Sequence, residues 1–544
     1  MEDKRLDNES EYVPTSFEKE EDYFDNVELE LDYSISVTEG ETELKKDSIK
    51  EQKKYMRDSH GDMDDEEFLQ NMQLLNNDEA YLRRAAKRLE VYEHQKKNPY
   101  FGKITFRYDD DGDVLPLYIG MAGYQSDMNS DQLIYDWRAP VSSMYYEYEK
   151  GDASYTVNTD DMGSEEFTGQ ILEKKQFVIG NGRLREAVDT DANINDVILL
   201  EALGGNSSVK MKSVVATIQK EQDAIIRNRT AHNLIVDGRA GSGKTVIAMH
   251  RLAWLLYNYK TLDSDKVMIL SPNSIFGDYI SDVLPELEEN SVPEKEFDTL
   301  LEELLYIDEE YETKLEQSEF IIDSGDRENQ RIRNIKVKSS IGFFDRFNEF
   351  LERYVSGIKF RTFHYQKVEY TGDDIAAMFN GRFSRKPVYE RFENIAYFIV
   401  DRVEDNSSKE FPEEKKHNLA RQIQKQMVNL FAERNLVKLY VDFLAEMETE
   451  YPGISDYKNE YGKICYEDIL PILYLQVYFY GCNSYNNIKH LVIDEMQDYT
   501  IFQYAVIDRI FGCKKTILGD RYQVLFYNPE ETVVDVLTLS LIHI

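Results

Sequence analysis

Apolar residues return every seventh position along one stretch: Phe68, Leu75, Leu82 and Leu89, with Met72 and Ala86 on the adjoining row. That spacing draws one apolar seam down a helix, and a single seam needs a second helix against it. The preceding stretch, roughly 25–58, is the expected partner, folded back across a tip at HGDMDDEEF. The period then changes. Between 100 and 200, β-branched and aromatic runs such as KITFRY, LPLYIG, LIYDW and KKQFVIG alternate with turn residues, which predicts an antiparallel β-rich module. DDDGD at 109–113 reads as its hairpin turn. It does not read as a calcium loop. With Gly112 at the glycine position, the first and last ligand positions would be Arg107 and Tyr118.

From 210 to 290 the pattern becomes helix, strand and helix: amphipathic VVATIQKEQDAIIRN, the strand LIV, a helix from Lys244, the strand VMIL, then a helix from about Asn273. Residues 290–485 read as mostly helical, and 488–520 return to strands in KHLVIDE and KTILGD with a helix between them. A parallel RecA-like α/β sheet interrupted by a large helical insertion accounts for this order. The predicted organisation is a helical hairpin over 1–97, the β-rich module over 98–205, and the RecA-like domain in two parts, 206–290 and 488–535. The insertion fills 291–487, and 536–544 is set apart as a tail.

Composition narrows the partners. With 103 acidic and 64 basic residues, the 544-residue chain carries a net charge of −39. Such a surface repels free nucleic acid and suits a partner with basic grooves. A merely solvated acidic surface is the alternative. Cys465, Cys482 and Cys513 show no paired spacing, which fits a reducing compartment without disulfides or a zinc site. The N-terminus MEDKRLDNESEY is no signal peptide, and no apolar run reaches the ~20 residues of a membrane span. A cytoplasmic protein, expected as a monomer and not on a membrane, follows from that reading.

The chemistry starts at Gly238-Arg239-Ala240-Gly241-Ser242-Gly243-Lys244-Thr245, a full GxxxxGK[ST] phosphate loop. Its glycines let backbone N–H groups turn towards the phosphates of ATP. Lys244 would reach the β- and γ-phosphates, and Thr245 would ligate Mg²⁺. The helix that begins there points its positive end at the anion. The second half is Leu491-Val492-Ile493-Asp494-Glu495, an apolar strand that delivers two carboxylates at its carboxyl end. Asp494 would hold Mg²⁺ through water, and Glu495 would polarise the attacking water as general base.

The residues that follow separate this grip from those of kinases or GTPases. DEMQDYT and then GDRYQ at 519–523 form a pattern that resembles superfamily 1 helicases of the UvrD/Rep type. The resemblance implies that Gln523 senses the γ-phosphate. It also implies that Gln222 in TIQKEQDAI hydrogen-bonds adenine, since an amide donates and accepts together. For Gln222 alone, a solvent-facing helix residue is the competing reading. PYFGKITF, YIGMAG, IYDWRAPVSSMYYEYEKGDASY and MILSPNSIFGDYISDVLPELEE resemble the HelD-like, or DNA helicase IV-like, branch.

That resemblance implies an RNA polymerase-associated motor that uses ATP to release polymerase from DNA and recycle it. The N-terminal hairpin would enter the polymerase's secondary channel, with Asp62, Asp64 and Asp65 at its tip, and the insertion at about 295–480 would enter the main channel. Acidic arms would then replace a phosphate backbone in basic channels; a solvated helix start is the competing reading of DMDDEE. A DNA helicase acting directly on DNA, or a non-enzymatic polymerase-binding regulator, are the alternatives. Pro272 and Asn273 sit where helicases touch single-stranded DNA, but no stacking aromatics accompany them, so a structural loop is expected.

Family members carry a second RecA-like domain whose arginines reach the γ-phosphate. The chain ends 21 residues after Gln523, and VLTLSLIHI resembles nothing in the family. A fragment lacking that domain is therefore expected. It would bind ATP-Mg²⁺ weakly and hydrolyse it hardly at all, because such an arginine is worth on the order of 10³–10⁵ in rate.

Overall fold

The computed structural model describes residues 16–59, 63–159, 163–180, 182–189, 215, 218–239, 241–272, 284, 291–324, 329–365, 367–407, 410–428 and 435–523. Asp62, Ala240, Asn273 and the 536–544 tail lie outside the described residues. The chain forms two compact units. One comprises 1–228, 249–261 and 280–291; the other comprises 229–248, 262–279 and 292–544.

The first unit opens with two long helices, α1 (Ser16–Asp58) and α2 (Asp65–Lys97). Helix α2 starts where the Asp64 side chain accepts the Glu67 N–H at 2.8 Å, an N-cap that relieves one orphan donor. At 1.5 Å per residue its 33 residues run about 50 Å. The partner helix is longer than the sequence predicts. Its buried positions include Phe24, Val27, Leu31, Ser34, Thr38 and Ile49, at helical spacing. The α2 side keeps Leu75 buried, with Leu82 and Leu89 half-buried. The adjoining row is corrected at one of its two residues: Met72 is half-buried as expected, whereas Ala86 is exposed and Ala85 is buried. The second row lies three residues from the first, so it passes through Asp78 and Ala85. Ion pairs flank the seam, Lys45 to Asp78 at 2.6 Å and Lys53 to Glu79 at 2.8 Å. Phe68, near the tip, is 39% exposed.

Seven strands follow: β1 (Gly102–Tyr108), β2 (Val114–Gly120), β3 (Tyr124–Gln125), β4 (Gln132–Asp136), β5 (Gly151–Thr159), β6 (Gly163–Ile179) and β7 (Leu184–Asp189). They form one sheet in the order β3-β4-β2-β1-β6-β5, with β7 on β6. The 109–113 turn joins β1 to β2 as predicted, with Gly112 at φ 74°. One pair departs from the antiparallel expectation: β2 and β4 run parallel, because the chain passes through β3 before β4.

Phe24, Val27 and Leu31 of α1 share a core with Tyr100, Tyr118, Ile134 and Phe177 of the sheet. A buried charge cluster sits beside that core. Glu20, 2% exposed, accepts from Lys103 at 2.7 Å, Lys175 at 3.0 Å and the Tyr118 hydroxyl at 2.6 Å. Burial pushes the Glu20 carboxyl up, but the bonds from Lys103, Tyr118 and Lys175 outweigh it and hold the carboxyl below its ordinary value. Its stabilisation is therefore present at neutral pH and is lost as pH falls through that lowered value. Glu20→Gln is expected to cost about 2–3 kcal/mol at neutral pH, because two lysines keep their charge beside a neutral amide. The loss should be smaller in acid. Both tryptophans, Trp137 and Trp254, belong to this unit, so tryptophan fluorescence during denaturation checks the prediction.

The Asp-Trp-Arg-Ala-Pro run after β4 is a packing hub of the same unit. The Arg138 guanidinium pairs with Asp136 at 2.7 Å and lies 4.7 Å from the Tyr257 ring centroid. Trp137, fully buried, stacks edge-on to His250, and its carbonyl accepts from Arg227 at 2.7 Å.

The second unit is built on five parallel strands: β8 (Asn233–Asp237), β9 (Val267–Ser271), β10 (Glu294–Glu296), β13 (His490–Ile493) and β14 (Lys514–Gly519). Their order is β10-β9-β13-β14-β8. Strands β9 and β13 are buried at every residue, as expected of a parallel sheet covered on both faces. Adjacent strands β9 and β13 are separated by more than 200 residues of chain, and the helical insertion fills that gap. A short hairpin, β11 (Phe363–Tyr365) with β12 (Val368–Tyr370), interrupts the helices.

In the insertion lies the helix Tyr466–Tyr480, buried from Tyr466 through Phe479 and predominantly apolar beyond its first turn. Two charge groups are sealed at its start. Lys338 and Asp468 pair at 2.6 Å with neither side chain exposed, and the Tyr440 hydroxyl donates to the same Asp468 oxygen at 2.7 Å. Arg331 forks between Glu312 and Glu467, while Gln317 donates to Glu467 at 2.8 Å. Glu312, Cys465 and Glu467 stand close enough together to share a cation. The Arg331 guanidinium already supplies the positive charge between those two carboxylates.

Candidate nucleotide site

The site is assembled at the carboxyl edge of the parallel sheet. Strand β8 ends at Asp237, and the chain turns through Gly238–Gly243 into the helix Lys244–Asn258. Gly241 and Gly243 hold φ of 77° and 83°, which side chains adopt only with strain. A Cβ on Gly238 would stand 2.7 Å from the Ser242 hydroxyl. Arg239, Gly241 and Ser242 are exposed around the turn, and Thr245 is half-buried in the first helical turn. The Lys244 ammonium donates to the carbonyls of Gly238 at 2.6 Å and Arg239 at 3.1 Å.

Strand β13 brings the two carboxylates. Asp494, 4% exposed, is held by its N–H to the Leu270 carbonyl at 2.9 Å. Burial, then the neighbouring Glu495 charge, pushes its carboxyl up to about 6, against the opposing pull of Lys244. Glu495 adopts the left-handed conformation at φ 48°. Ser130 is the only other non-glycine residue with positive φ among the described residues. Strained backbone of this kind concentrates at functional sites.

Four hydrogen bonds connect these parts, and none is legible in the spacing. Gln497 donates to the Glu495 carboxylate at 2.6 Å, and its own carbonyl oxygen accepts the Asp520 N–H at 3.0 Å. It therefore ties the proposed base to the end of β14. Gly519 makes room for it, since a Cβ there would stand 2.3 Å from Met496 and 2.5 Å from Gln497. Arg521 donates through its Nε to Asp237 at 2.5 Å, and the Gly238 N–H donates to the Gly519 carbonyl at 3.1 Å. These bonds fasten the Gly-Asp-Arg-Tyr-Gln segment to the root of the phosphate loop. The pairing of GDRYQ with the residue before the loop would need knowledge that β14 lies between β13 and β8.

The structure thus brings together the phosphate loop, Lys244, Asp494, Glu495 and the 519–523 segment. Gln523 is exposed, with its N–H on the Asp520 carbonyl at 3.1 Å. Gln222 lies in the first unit at the start of the helix Lys220–Ile226, where its side-chain oxygen accepts the Gln219 N–H at 3.0 Å. Pro272 is half-buried just after β9.

The residues fit a magnesium-bound nucleoside triphosphate: a glycine turn open to phosphate oxygens, a lysine at its end, and a hydroxyl and a buried carboxylate for the metal. A five-stranded parallel sheet carrying this loop at the end of β8 and an Asp-Glu pair at the end of β13, with β14 between them, defines a RecA-like P-loop NTPase domain. The UvrD/REP helicase N-terminal domain model matches residues 218–527, more than half of the chain, and the chain belongs to that family. The DNA helicase IV HelD N-terminal domain model matches residues 17–198, the hairpin and the β-rich sheet. No curated protein matches the chain. Among the described residues, no helix is long and apolar enough to cross a membrane.

Proposed function

We propose that the protein is an ATP-driven, helicase-like motor of the cytoplasm that acts on RNA polymerase, promoting its release from DNA and its reuse. The reading is supported by one combination: a helicase-type nucleotide site in the same chain as a HelD N-terminal domain whose long hairpin projects side chains on an acidic protein. ATP and Mg²⁺ are the expected ligands. Lys244 and the loop amides would hold the phosphates, Thr245 and Asp494 the metal, and Glu495 would take a proton from water. Gln523 would sense the γ-phosphate, and Gln222 would read adenine. The hairpin would occupy the polymerase's secondary channel, and the helical insertion its main channel. At the hairpin tip, Asp64 already serves as an N-cap, so its role in a channel would compete with that bond.

Capture of RNA polymerase by the purified protein, measured at low and high salt, tests the reading. Retention at low salt that falls steeply with added salt is expected, because acidic surfaces meet basic channels. No capture, together with tight binding of tailed DNA at physiological salt, would favour a helicase acting directly on DNA.

A further inference from the structure

A second concavity lies on the unit that carries the nucleotide site, at the opposite edge of its sheet. Helix Ile501–Ile510 leaves the carboxyl end of β13 and returns the chain to the start of β14. Its last turn, with Arg509, therefore stands at the amino edge of the parallel sheet, whereas the phosphate loop stands at the carboxyl edge. There a cleft of about 1010 Å³ opens between this helix, the end of the buried helix Tyr466–Tyr480 and the start of the helix Val388–Asp405. That volume exceeds what a nucleotide-sized ligand requires.

The charge in the cleft runs against the charge of the chain. Arg385, Arg391 and Arg509 line it, and none of the three is paired with a carboxylate among the described residues. Two of the three acids of the lining are already paired with lysines, one of which, Lys386, lines the cleft too. Glu390 pairs with Lys386 at 2.8 Å, and Asp508 pairs with Lys515 at 2.9 Å. Glu352, exposed at the rim, is the remaining acid of the lining.

Arg391 is the telling residue. It is 7% exposed, with its Nε on the Lys386 carbonyl at 2.7 Å and a bond to the Tyr478 phenol. A buried guanidinium without a counter-charge is costly, and in a protein with 39 excess negative charges a partner carboxylate would be easy to supply. Burial lowers its pKa from the ordinary arginine value, and the neighbouring Arg509 charge pushes the same way. Arg509 is exposed and lies 4.8 Å from the Tyr478 ring centroid, so its guanidinium is ordered by stacking. The helix Val388–Asp405 starts in the cleft at Pro387 without a side-chain cap, which adds a positive end to the same spot.

We propose that this cleft is a binding site for phosphate groups, gripped by Arg385, Arg391 and Arg509 at the edge of the sheet away from the phosphate loop. Guanidinium forks match phosphate oxygens in pairs, and three of them around one concavity recognise a di- or polyphosphate or successive phosphodiesters by the same chemistry. The site is independent of the polymerase reading.

Calorimetric titration with inorganic pyrophosphate tests it, on the chain carrying Lys244→Ala so that the phosphate loop does not contribute. Saturable binding is expected, weakened about tenfold or more when Arg385 and Arg509 are also changed to alanine. Both are exposed, so the fold survives, and Arg391 is left intact. A short oligothymidylate is the second arm. Displacement of pyrophosphate by the oligomer identifies a nucleic-acid strand as the source of the phosphates; failure to displace it identifies free phosphates. Absence of pyrophosphate binding, or binding indifferent to the two arginine substitutions, would overturn the proposal.

Discussion

Glu495→Gln is expected to leave ATP binding intact while lowering ATP turnover at least about a hundredfold, the usual worth of a general base. The substitution is nearly isosteric. The left-handed turn at Glu495 and the Gln497 amide beside it constrain the position of the side chain, so an amide would occupy the same place without accepting a proton. Lys244→Ala should behave differently and weaken nucleotide binding itself, since its ammonium is the charge at the mouth of the glycine turn. Fluorescent-nucleotide titration alongside phosphate release separates the two effects. Gln497→Ala offers a graded control: loss of the tie between Glu495 and Asp520 should lower turnover by less than loss of the carboxylate, with binding retained. Turnover of Glu495→Gln equal to the parent's would remove Glu495 from the chemistry.

Lys338→Met is the second large effect, and it concerns stability. The substitution keeps the stem's bulk but leaves Asp468 buried without its cation, which is expected to cost about 3–5 kcal/mol at neutral pH. Burial, then the Glu467 charge, already pushes the Asp468 carboxyl up to about 6, against the opposing pull of Lys338 and Tyr440. Removing Lys338 pushes it higher still. An acid whose folded pKa is raised keeps a proton that the unfolded chain has released, so the folded state regains stability as pH falls. The deficit of Lys338→Met should therefore shrink as pH falls from neutral towards about 6, where Asp468 of the parent takes up its proton as well.

Adding Asp468→Asn should recover part of the loss at neutral pH, since neither buried charge then remains. Both tryptophans lie in the other unit, so fluorescence would miss the event. Amide hydrogen exchange along Tyr466–Tyr480 reads it directly. A deficit that did not change with pH would mean that Asp468 carries no uncompensated charge in the variant.

How much of this was legible beforehand follows the range of each interaction. The hairpin seam through Leu75, Leu82 and Leu89 appeared in the heptad spacing because helix periodicity is local. The choice between Ala85 and Ala86 did not, because the facing row is set by how α1 lies across α2. The turn at Gly112 was readable from five residues, whereas the parallel pairing of β2 with β4 depends on the path through β3. In the site, the phosphate loop and the Asp494-Glu495 pair announced themselves by residue type at fixed spacing. Gln497 stood in a quoted motif without a role, since its second partner is Asp520, 23 residues on. Lys338 and Asp468 stand 130 residues apart, and nothing in the local spacing of either points to the other.

The amino-acid sequence by itself determined the phosphate-gripping turn, the carboxylate strand, the alternation that makes a parallel sheet and the acidic balance. Each is carried by neighbours in the chain or by simple counting. Only the tertiary structure decided which strand lies beside which, that Arg521 meets Asp237, that Gln497 holds Glu495, and that three arginines share one cleft. Those contacts join residues whose separation along the chain carries no signal, and they exist only once burial of the apolar strands and helices has brought distant segments together.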